Sequence, residues 1–227
     1  MLVSLRHAVR DIPGVRAAAL RMRFGDLRRT EPLSAWGSQR GKPVDRWYIE
    51  RYLADHAGLV RGDALEVKDD MYATRYGATA VDVVDIEPGN TCATIVGDLC
   101  RPGTLQSGRY DVAIVTQTLQ LMTDPAAAVR HLLAALRPGG SLLLTVPTLS
   151  RLVDDSDLWR WTPAGLRRLL AASAPAGAEL EVTGLGNGLA ARAFLFGLAT
   201  QDLGEAVLAQ PDPHYPLLVG AHVRLQG

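Results

Sequence analysis

The feature that most constrains the fold is a series of short apolar segments that alternate with helical stretches from residue 64 onward. Several segments are apolar at consecutive positions, which means burial on both faces of a strand and is typical of a parallel sheet covered by helices. The pattern therefore predicts an α/β fold. The five clearest strands are predicted at residues 64–67, 81–86, 93–96, 111–116 and 141–146.

The segment between the last two of these strands has the signals of a crossover helix. Asp124 offers an N-cap and Pro125 suits the first helical position. A Pro-Gly-Gly run at 138–140 ends the pattern. The order strand, helix, glycine turn, strand predicts a right-handed βαβ unit. Its apolar stripe consists of Val129, Leu132, Leu133 and Leu136.

The two ends of the chain add elements to this central unit. Residues 43 to about 59 predict a helix with Asp45 as its N-cap. The simplest partition is a helical N-terminal cap of residues 1–60 and an α/β domain of residues 61–227. The tail predicts a helix from Thr162-Pro163, a strand at 179–183, a helix at about 189–198 and a strand at 216–225.

Composition excludes several classes of function. The 24 basic and 24 acidic residues cancel, which argues against binding of nucleic acid through bulk charge. Two cysteines make no disulfide framework, and none of the five histidines is expected to form a metal cluster with another. No apolar run reaches the roughly 18 residues of a membrane span, so no stable membrane insertion is expected. A cytoplasmic enzyme is the default expectation.

The first 29 residues are basic, with seven arginines against Asp11 and Asp26. A basic amphipathic helix there can hold a partner enzyme, a second copy of the chain or a membrane surface. Alternatively, it packs on the main domain with solvated arginines. The sequence leaves both interpretations open.

Carboxylates follow three adjacent strands at the edge where open parallel sheets bind ligands, and Asp69 and Asp70 come after the first of them. Asp85 and Glu87 come at the end of the second predicted strand, and Asp98 follows the third. A carboxylate after the second strand is placed to accept both hydroxyls of a ribose, and one after the third to accept the amine of adenine. Each acid alone is equally an ordinary loop acid, so their joint placement is what favours a nucleoside site.

Residues 62–147 resemble the nucleotide half of class I S-adenosylmethionine (SAM)-dependent methyltransferases. The most specific stretch is 110–147, which is similar to the superfamily's fourth and fifth strands with their helix. VDIEP at 84–88 resembles the acidic ribose motif, and GDL at 97–99 resembles the adenine-contact motif. Flanking stretches at 43–53, 158–170 and 212–223 are similar to a bacterial subgroup of small methyltransferases.

The resemblance implies a Rossmann-like, seven-stranded, mostly parallel sheet with the last strand antiparallel and helices on both faces. It also implies SAM as cofactor. By position, Asp85 would hold the ribose with Glu87 as the fallback, Asp98 and Leu99 would border the adenine, and Thr116 and Gln117 would flank the methionine portion.

The chain departs from the superfamily in its glycine-rich loop, written E-x-G-x-G-x-G. Glu66 keeps the acid, but Lys68, Asp69, Asp70 and Tyr72 occupy the loop, and no glycine stands there. Glycine is used because the backbone must approach the cofactor closely and can need positive φ. Lys68 either crowds that space or swings outward to pair with Asp69, Asp70 or the cofactor carboxylate. Asp69 is also placed to accept from the cofactor's amino group.

Residues on both sides of the predicted crevice are candidates for handling a methyl acceptor. By residue type, the candidate bases are Tyr48, Asp45 and His214. His56 lies on an apolar helix face and is interpreted as a core histidine. Aromatic and basic residues suit a small, partly polar acceptor, although the tryptophans can equally anchor the cap to the sheet. This set comprises Trp36, Arg46, Trp159 and Arg160.

Three functions fit the sequence. The leading hypothesis is a SAM-dependent methyltransferase that acts on a small molecule, a sugar or a secondary-metabolite intermediate, by in-line displacement. The alternative is the same fold repurposed for elimination, cyclisation or rearrangement, with Lys68, Asp69 and Asp70 as acid–base groups. The third is a non-catalytic partner subunit that docks through its N-terminal helices.

Overall fold

The computed structural model describes residues 30–227, of which Ser34–Gly227 form one compact unit. The predicted basic helices of residues 1–29, and the docking role suggested for them, lie outside the described residues. The predicted division into a cap of residues 1–60 and a domain of residues 61–227 stays a prediction. In the described part of the chain, no helix has the length and apolar character needed to cross a membrane.

Seven strands form a single sheet within residues 30–227. Their order is β3-β2-β1-β4-β5-β7-β6, and β7 runs antiparallel to both of its neighbours while the other pairs are parallel. This confirms the Rossmann-like sheet with an antiparallel last strand. The strands are β1 Asp63–Val67, β2 Ala80–Asp85, β3 Ile95–Val96, β4 Tyr110–Thr116, β5 Leu136–Pro147, β6 Glu179–Leu185 and β7 Leu218–Arg224.

Helices cover both faces of this sheet, as expected. One buried cluster joins α3 and α4 to the sheet through side chains such as Leu132 and Leu170. The other joins α1, α2 and α5 through Leu53, Tyr72 and Phe194. The helices of the described part are α1 Val44–Asp55, α2 Met71–Tyr76, α3 Pro125–Ala135, α4 Pro163–Ser173, α5 Gly188–Leu195, α6 Thr200–Leu203 and α7 Glu205–Leu208, with 3₁₀ turns at Ala57–Leu59 and Leu119–Leu121.

Local signals predicted the starts of α3 and α4 correctly, with N-caps at Asp124 and Thr162, and misplaced two other boundaries. The Asp124 carboxylate accepts from the Ala127 amide at 2.9 Å, which confirms the predicted N-cap of α3. Asp45 is not the N-cap of α1, because extended Pro43 (φ −54°, ψ 145°) holds that position and Asp45 lies inside the first turn. Leu136, predicted on the stripe of α3, is extended and begins β5 instead.

The sheet core predicts how truncations will act. We expect Leu144→Ala on β5, whose side chain is 1% exposed, to lower the free energy of unfolding by about 2–5 kcal/mol, because it leaves a cavity between the sheet and its helices. Leu152→Ala removes the same atoms from a residue that is 61% exposed, and should cost under about 0.5 kcal/mol. Urea unfolding measures both, and equal losses would contradict this placement of the core.

Candidate functional site

The strand order reverses between β1 and β4, since the chain builds β2 and β3 on one side of β1 and β5 beyond β4. Open α/β sheets bind ligands at such a switch point, outside the carboxyl ends of the strands. Asp85 ends β2, while Asp98, Lys68 and Gln117 follow β3, β1 and β4. The four residues therefore succeed one another along this edge in the order 98, 85, 68, 117. With strands about 4.8 Å apart, the row spans roughly 14 Å.

The turn between β1 and α2 keeps a glycine-like backbone without glycine. Lys68 has φ 77°, in the left-handed region, at the position of the first glycine of the superfamily motif. Its amide donates to the Val84 carbonyl at 3.0 Å, and its own carbonyl accepts from Asn90 Nδ2 at 2.7 Å. These bonds hold a conformation that costs a lysine roughly 1–2 kcal/mol. The side chain of Lys68 is exposed.

Glu66 anchors this turn from below. Its carboxylate is 2% exposed and accepts from the amides of Tyr72 at 3.1 Å and Ala73 at 2.7 Å, at the start of α2. Burial raises its pKa from an ordinary 4.5 to about 7, against the lowering effect of these two amides. The oxygens are therefore committed to the protein backbone. Direct contact of Glu66 with a cofactor stays a prediction.

Asp85 ends β2 with a carboxylate whose orientation is fixed. One oxygen accepts from the Glu87 amide at 3.1 Å and the other from Asn90 Nδ2 at 2.6 Å. Asn90 also bonds the Lys68 carbonyl, so it joins the ends of β1 and β2. The side chain of Glu87 is exposed. Asn90 was not among the predicted site residues, although an asparagine in a Pro-Gly-Asn turn after an acid is a usable signal.

Asp98 and Leu99 form the next position along the edge. The Asp98 carboxylate accepts from the Cys100 amide at 2.8 Å and lies 3.8 Å from Arg101 Nε. Leu99 is 4% exposed, and its carbonyl lies 2.8 Å from His131 Nδ1. Asp98 therefore orders its own turn, while Leu99 packs into the core cluster beside β3.

Gln117 is the second residue of this edge with a left-handed backbone, at φ 48°. Its amide donates to the Thr145 carbonyl at 2.8 Å, and Nε2 donates to Thr145 Oγ1 at 3.3 Å, which ties the end of β4 to β5. Thr116 ends β4, and its carbonyl accepts from Thr118 Oγ1 at 2.9 Å. A non-glycine residue thus takes positive φ at each of the two strand ends that flank the switch point.

The start of α1 approaches the β1–α2 turn. Arg46 Nη1 donates to the Tyr72 hydroxyl at 2.6 Å, and its guanidinium lies 5.7 Å from the centre of the Tyr72 ring. Neighbouring Asp45 has a buried oxygen, Oδ1, with no hydrogen-bond partner. Burial raises the pKa of Asp45 above its usual range. An acid in this state is a natural acceptor for a ligand's hydrogen-bond donor.

The other two candidate bases have different surroundings. The Tyr48 hydroxyl is buried and donates to the Leu208 carbonyl at 2.8 Å, and burial raises its pKa to about 12. His214 lies exposed in the loop before β7, where its amide donates to Asp212 Oδ1 at 3.0 Å. Their catalytic roles stay predictions, and Asp45 is the candidate with an unused buried atom.

The aromatic candidates serve as packing contacts in this structure. The Trp36 ring centre lies 6.3 Å from that of Phe194, on the α1 and α5 side of the sheet. Trp159 Nε1 donates to the Met122 carbonyl at 2.8 Å. Arg160 bonds both oxygens of Asp157. Substrate contacts by Trp36, Trp159 and Arg160 stay predictions.

A second recess lies away from the switch point. It is a cavity of about 340 Å³ between α1, β6 and β7. His56, Glu181 and His222 line it, with their ligand atoms within 4.8 Å of one another. The sequence analysis expected no metal cluster of histidines, and the fold brings two histidines together with Glu181 because it joins residues that lie far apart in sequence.

Comparison with known proteins places this geometry in a family. The sequence profile described as a methyltransferase domain matches residues 37–175, which include the strand ends of the switch point. The chain belongs to the methyltransferase-domain family. The resemblance to class I SAM-dependent methyltransferases is thereby confirmed. No curated protein matches the chain significantly in sequence.

Solved structures share the fold of this methyltransferase domain at low identity. A SAM-dependent methyltransferase from Mesorhizobium loti is 17% identical (TM-score 0.55, 80% of this chain and 99% of that one covered). A chain of the complex containing the Haloferax volcanii Trm112 methyltransferase activator is 14% identical (TM-score 0.54, 85% and 97% covered). The cyclase SpnF is 16% identical (TM-score 0.53, 78% and 80% covered). These likenesses show the fold, not the substrate or the reaction.

The left-handed turn predicts a stabilising substitution. Lys68→Gly should raise the free energy of unfolding by roughly 0.5–1 kcal/mol, since relief of the left-handed lysine exceeds the backbone entropy that glycine adds. Lys68→Ala removes the same side chain but keeps a Cβ, so its stability should match the wild type within about 0.5 kcal/mol. Urea unfolding tests both variants, provided that the slope of the unfolding free energy against urea concentration is unchanged. Equal stabilisation by the two variants would contradict backbone strain at this turn.

The buried carboxyl of Glu66 predicts a dependence of stability on pH. Because its folded-state pKa is raised from 4.5 to about 7, its stabilising contribution is complete below about pH 4.5 and is lost as the pH rises through about 7. Glu66→Gln, which does not titrate, should therefore show a flatter profile over this range in urea unfolding. Glu205→Gln, at an exposed acid, should keep the wild-type slope. An unchanged profile in Glu66→Gln would oppose this assignment.

Proposed function

We propose that this protein is a SAM-dependent methyltransferase that acts on a small molecule, a sugar or a secondary-metabolite intermediate. The observation that carries the proposal is the β1–α2 turn, where Lys68 keeps the left-handed backbone of the missing glycine beside the oriented carboxylate of Asp85. A turn that preserves this path without glycine supports retention of a cofactor cradle. The carboxylates of Asp85 and Asp98 are acceptors suited to the hydroxyls and the amine of an adenosine, so the residues of this edge fit the cofactor.

Each residue along the edge has a distinct part in this proposal. Asp85, oriented by Asn90, would accept the ribose hydroxyls, with Glu87 as the fallback. Asp98 and Leu99 would border the adenine, one as a polar acceptor and the other as an apolar wall. Thr116 and Gln117 would flank the methionine portion. SAM supplies a sulfonium methyl group when bound, and the chain's work is to align the acceptor and exclude water.

The acceptor side rests on Asp45. A hydroxyl or ammonium acceptor must lose a proton during methyl transfer, and a carboxylate with a raised pKa is suited to take it. The Oδ1 atom of Asp45, which has no hydrogen-bond partner, would accept this proton. Arg46 lies next to Asp45 and would attract an anionic group of the acceptor or of the cofactor.

A cytoplasmic location stays a prediction.

Calorimetry with SAM and S-adenosylhomocysteine tests cofactor binding. We expect both to bind, and Asp85→Asn to weaken binding by about 10-fold or more, since the amide loses one acceptor for the ribose diol and the bond from Asn90 Nδ2. Glu205→Gln, at an exposed acid of α7, should bind as the wild type does. No binding heat at millimolar ligand, or full binding by Asp85→Asn, would overturn the proposal.

A second candidate is a non-methylating reaction on the same fold, with Lys68, Asp69 and Asp70 as acid–base groups. The specific observation in its favour is the charged loop at the glycine positions, where Asp69 Oδ1 accepts from the Met71 amide at 3.2 Å and Lys68 is exposed. Release of S-adenosylhomocysteine in assays with a panel of sugar and secondary-metabolite acceptors separates the two. Release supports methyl transfer, whereas product formation with SAM unconsumed supports the second candidate.

A further inference from the structure

A histidine and carboxylate cluster lies in the cavity between α1, β6 and β7. Glu181 and His222 are direct cross-strand partners in the antiparallel pairing of β6 and β7. His56 follows the last residue of α1, and its ring centre lies 5.6 Å from that of His222. The three ligand atoms lie within 4.8 Å of one another. Three different elements therefore deliver two imidazoles and a carboxylate to one point.

Each imidazole is held from its far side. His56 Nδ1 lies 2.8 Å from the Tyr52 carbonyl, which can only accept, so Nδ1 is the donor of this bond and Nε2 is left for another partner. His222 Nε2 lies 3.0 Å from Ser141 Oγ, which leaves Nδ1 for another partner. Histidines that bind metals are oriented in this way, with one nitrogen on a protein oxygen and the other on the ion.

The cavity wall also carries an unpartnered polar group beside the two imidazoles. The Tyr52 hydroxyl is buried in the same cavity wall and has no hydrogen-bond partner. A hydroxyl without a partner in this wall is available to a ligand bound in the cavity.

We propose that His56, Glu181 and His222 bind a divalent transition-metal cation, with Zn²⁺ the best fit. Two imidazole nitrogens and one carboxylate oxygen are a donor set that zinc accepts, whereas Mg²⁺ and Ca²⁺ prefer oxygen alone. Tetrahedral ligands at about 2.1 Å from zinc lie about 3.4 Å apart, so the three groups would close by at most about 1.4 Å.

Three protein ligands leave one coordination position open, as in zinc sites that bind water or substrate. The three proposed ligands line the cavity of about 340 Å³, whose wall also carries Tyr48, Arg51 and Tyr52. Glu181 is exposed on edge strand β6, which gives an ion a path from solvent. The chemistry of the cavity suits a small oxygen-donor ligand, held by the metal at one end and by Arg51 or the aromatic wall elsewhere.

This site is separate from the proposed cofactor crevice. His222 pairs with Leu143 in the middle of β5, whereas the crevice lies beyond the carboxyl ends of β1 to β4. Metal binding and SAM binding can therefore be measured independently, and a negative result for one proposal does not contradict the other.

Zinc and cobalt binding to the full, untagged chain tests the proposal. We expect one equivalent of Zn²⁺ by calorimetry, and visible Co²⁺ bands of four- or five-coordinate intensity that Zn²⁺ removes. His222→Ala and Glu181→Gln should each weaken Zn²⁺ binding by about 100-fold or more, beyond the 10–100-fold typical for loss of a residue that only supports a ligand. His214→Ala, the same change at an exposed loop histidine, should bind as the wild type does.

Two results would overturn the proposal. One is no stoichiometric Zn²⁺ binding by the folded wild type. The other is binding that the cluster variants retain, which would place the ion elsewhere. Circular dichroism checks that each variant folds. If His222→Ala is unfolded, Glu181→Gln on the edge strand and His56→Gln at the end of α1 decide the question by the same Zn²⁺ titration.

Discussion

The backbone turn that joins β1 to α2 is the constraint on which the candidate crevice depends. Glu66 lies buried beneath it and holds the first amides of α2, while Asn90 clamps the Lys68 carbonyl and the Asp85 carboxylate. Lys68 takes a left-handed conformation under these bonds. A side chain that disfavours the turn is thus held in it by its neighbours, which is how strained residues persist at functional sites.

The histidine and carboxylate cluster lies on the face of the sheet rather than at the edge that holds the crevice. The antiparallel pairing of β7 with β6 brings Glu181 opposite His222, and α1 ends at His56 beside them. In a sheet with β6 and β7 parallel, this register would not exist. The strand that departs from parallel pairing therefore builds the cluster, while the parallel strands build the crevice.

Much of the fold was predictable because its signals are local. Consecutive apolar residues marked the buried strands, and Asp124 before Pro125 marked the start of α3. The predicted N-cap at Asp45 was wrong because extended Pro43, two residues earlier, holds that position. The predicted helical position of Leu136 was wrong because this residue pairs in β5. Acids after β2 and β3 were predictable from strand order alone.

The rest required contacts that sequence spacing does not encode. His56 lies more than a hundred positions from Glu181 and His222, so the spacing of these residues in the sequence does not predict their cluster. The left-handed backbone of Lys68 could not be predicted for another reason. Lysine rarely takes that conformation, and the hydrogen bonds of its amide and carbonyl hold it there. The role of Asn90 likewise depends on its reach across two strand ends.

A crystal structure with S-adenosylhomocysteine bound tests the central claim most directly. The predicted result is ribose hydroxyls on the Asp85 carboxylate and a purine beside Asp98, with the β1–α2 backbone unchanged. Ligand density in the cavity between α1, β6 and β7, or the Lys68 or Tyr72 side chain filling the space beside Asp85, would contradict it.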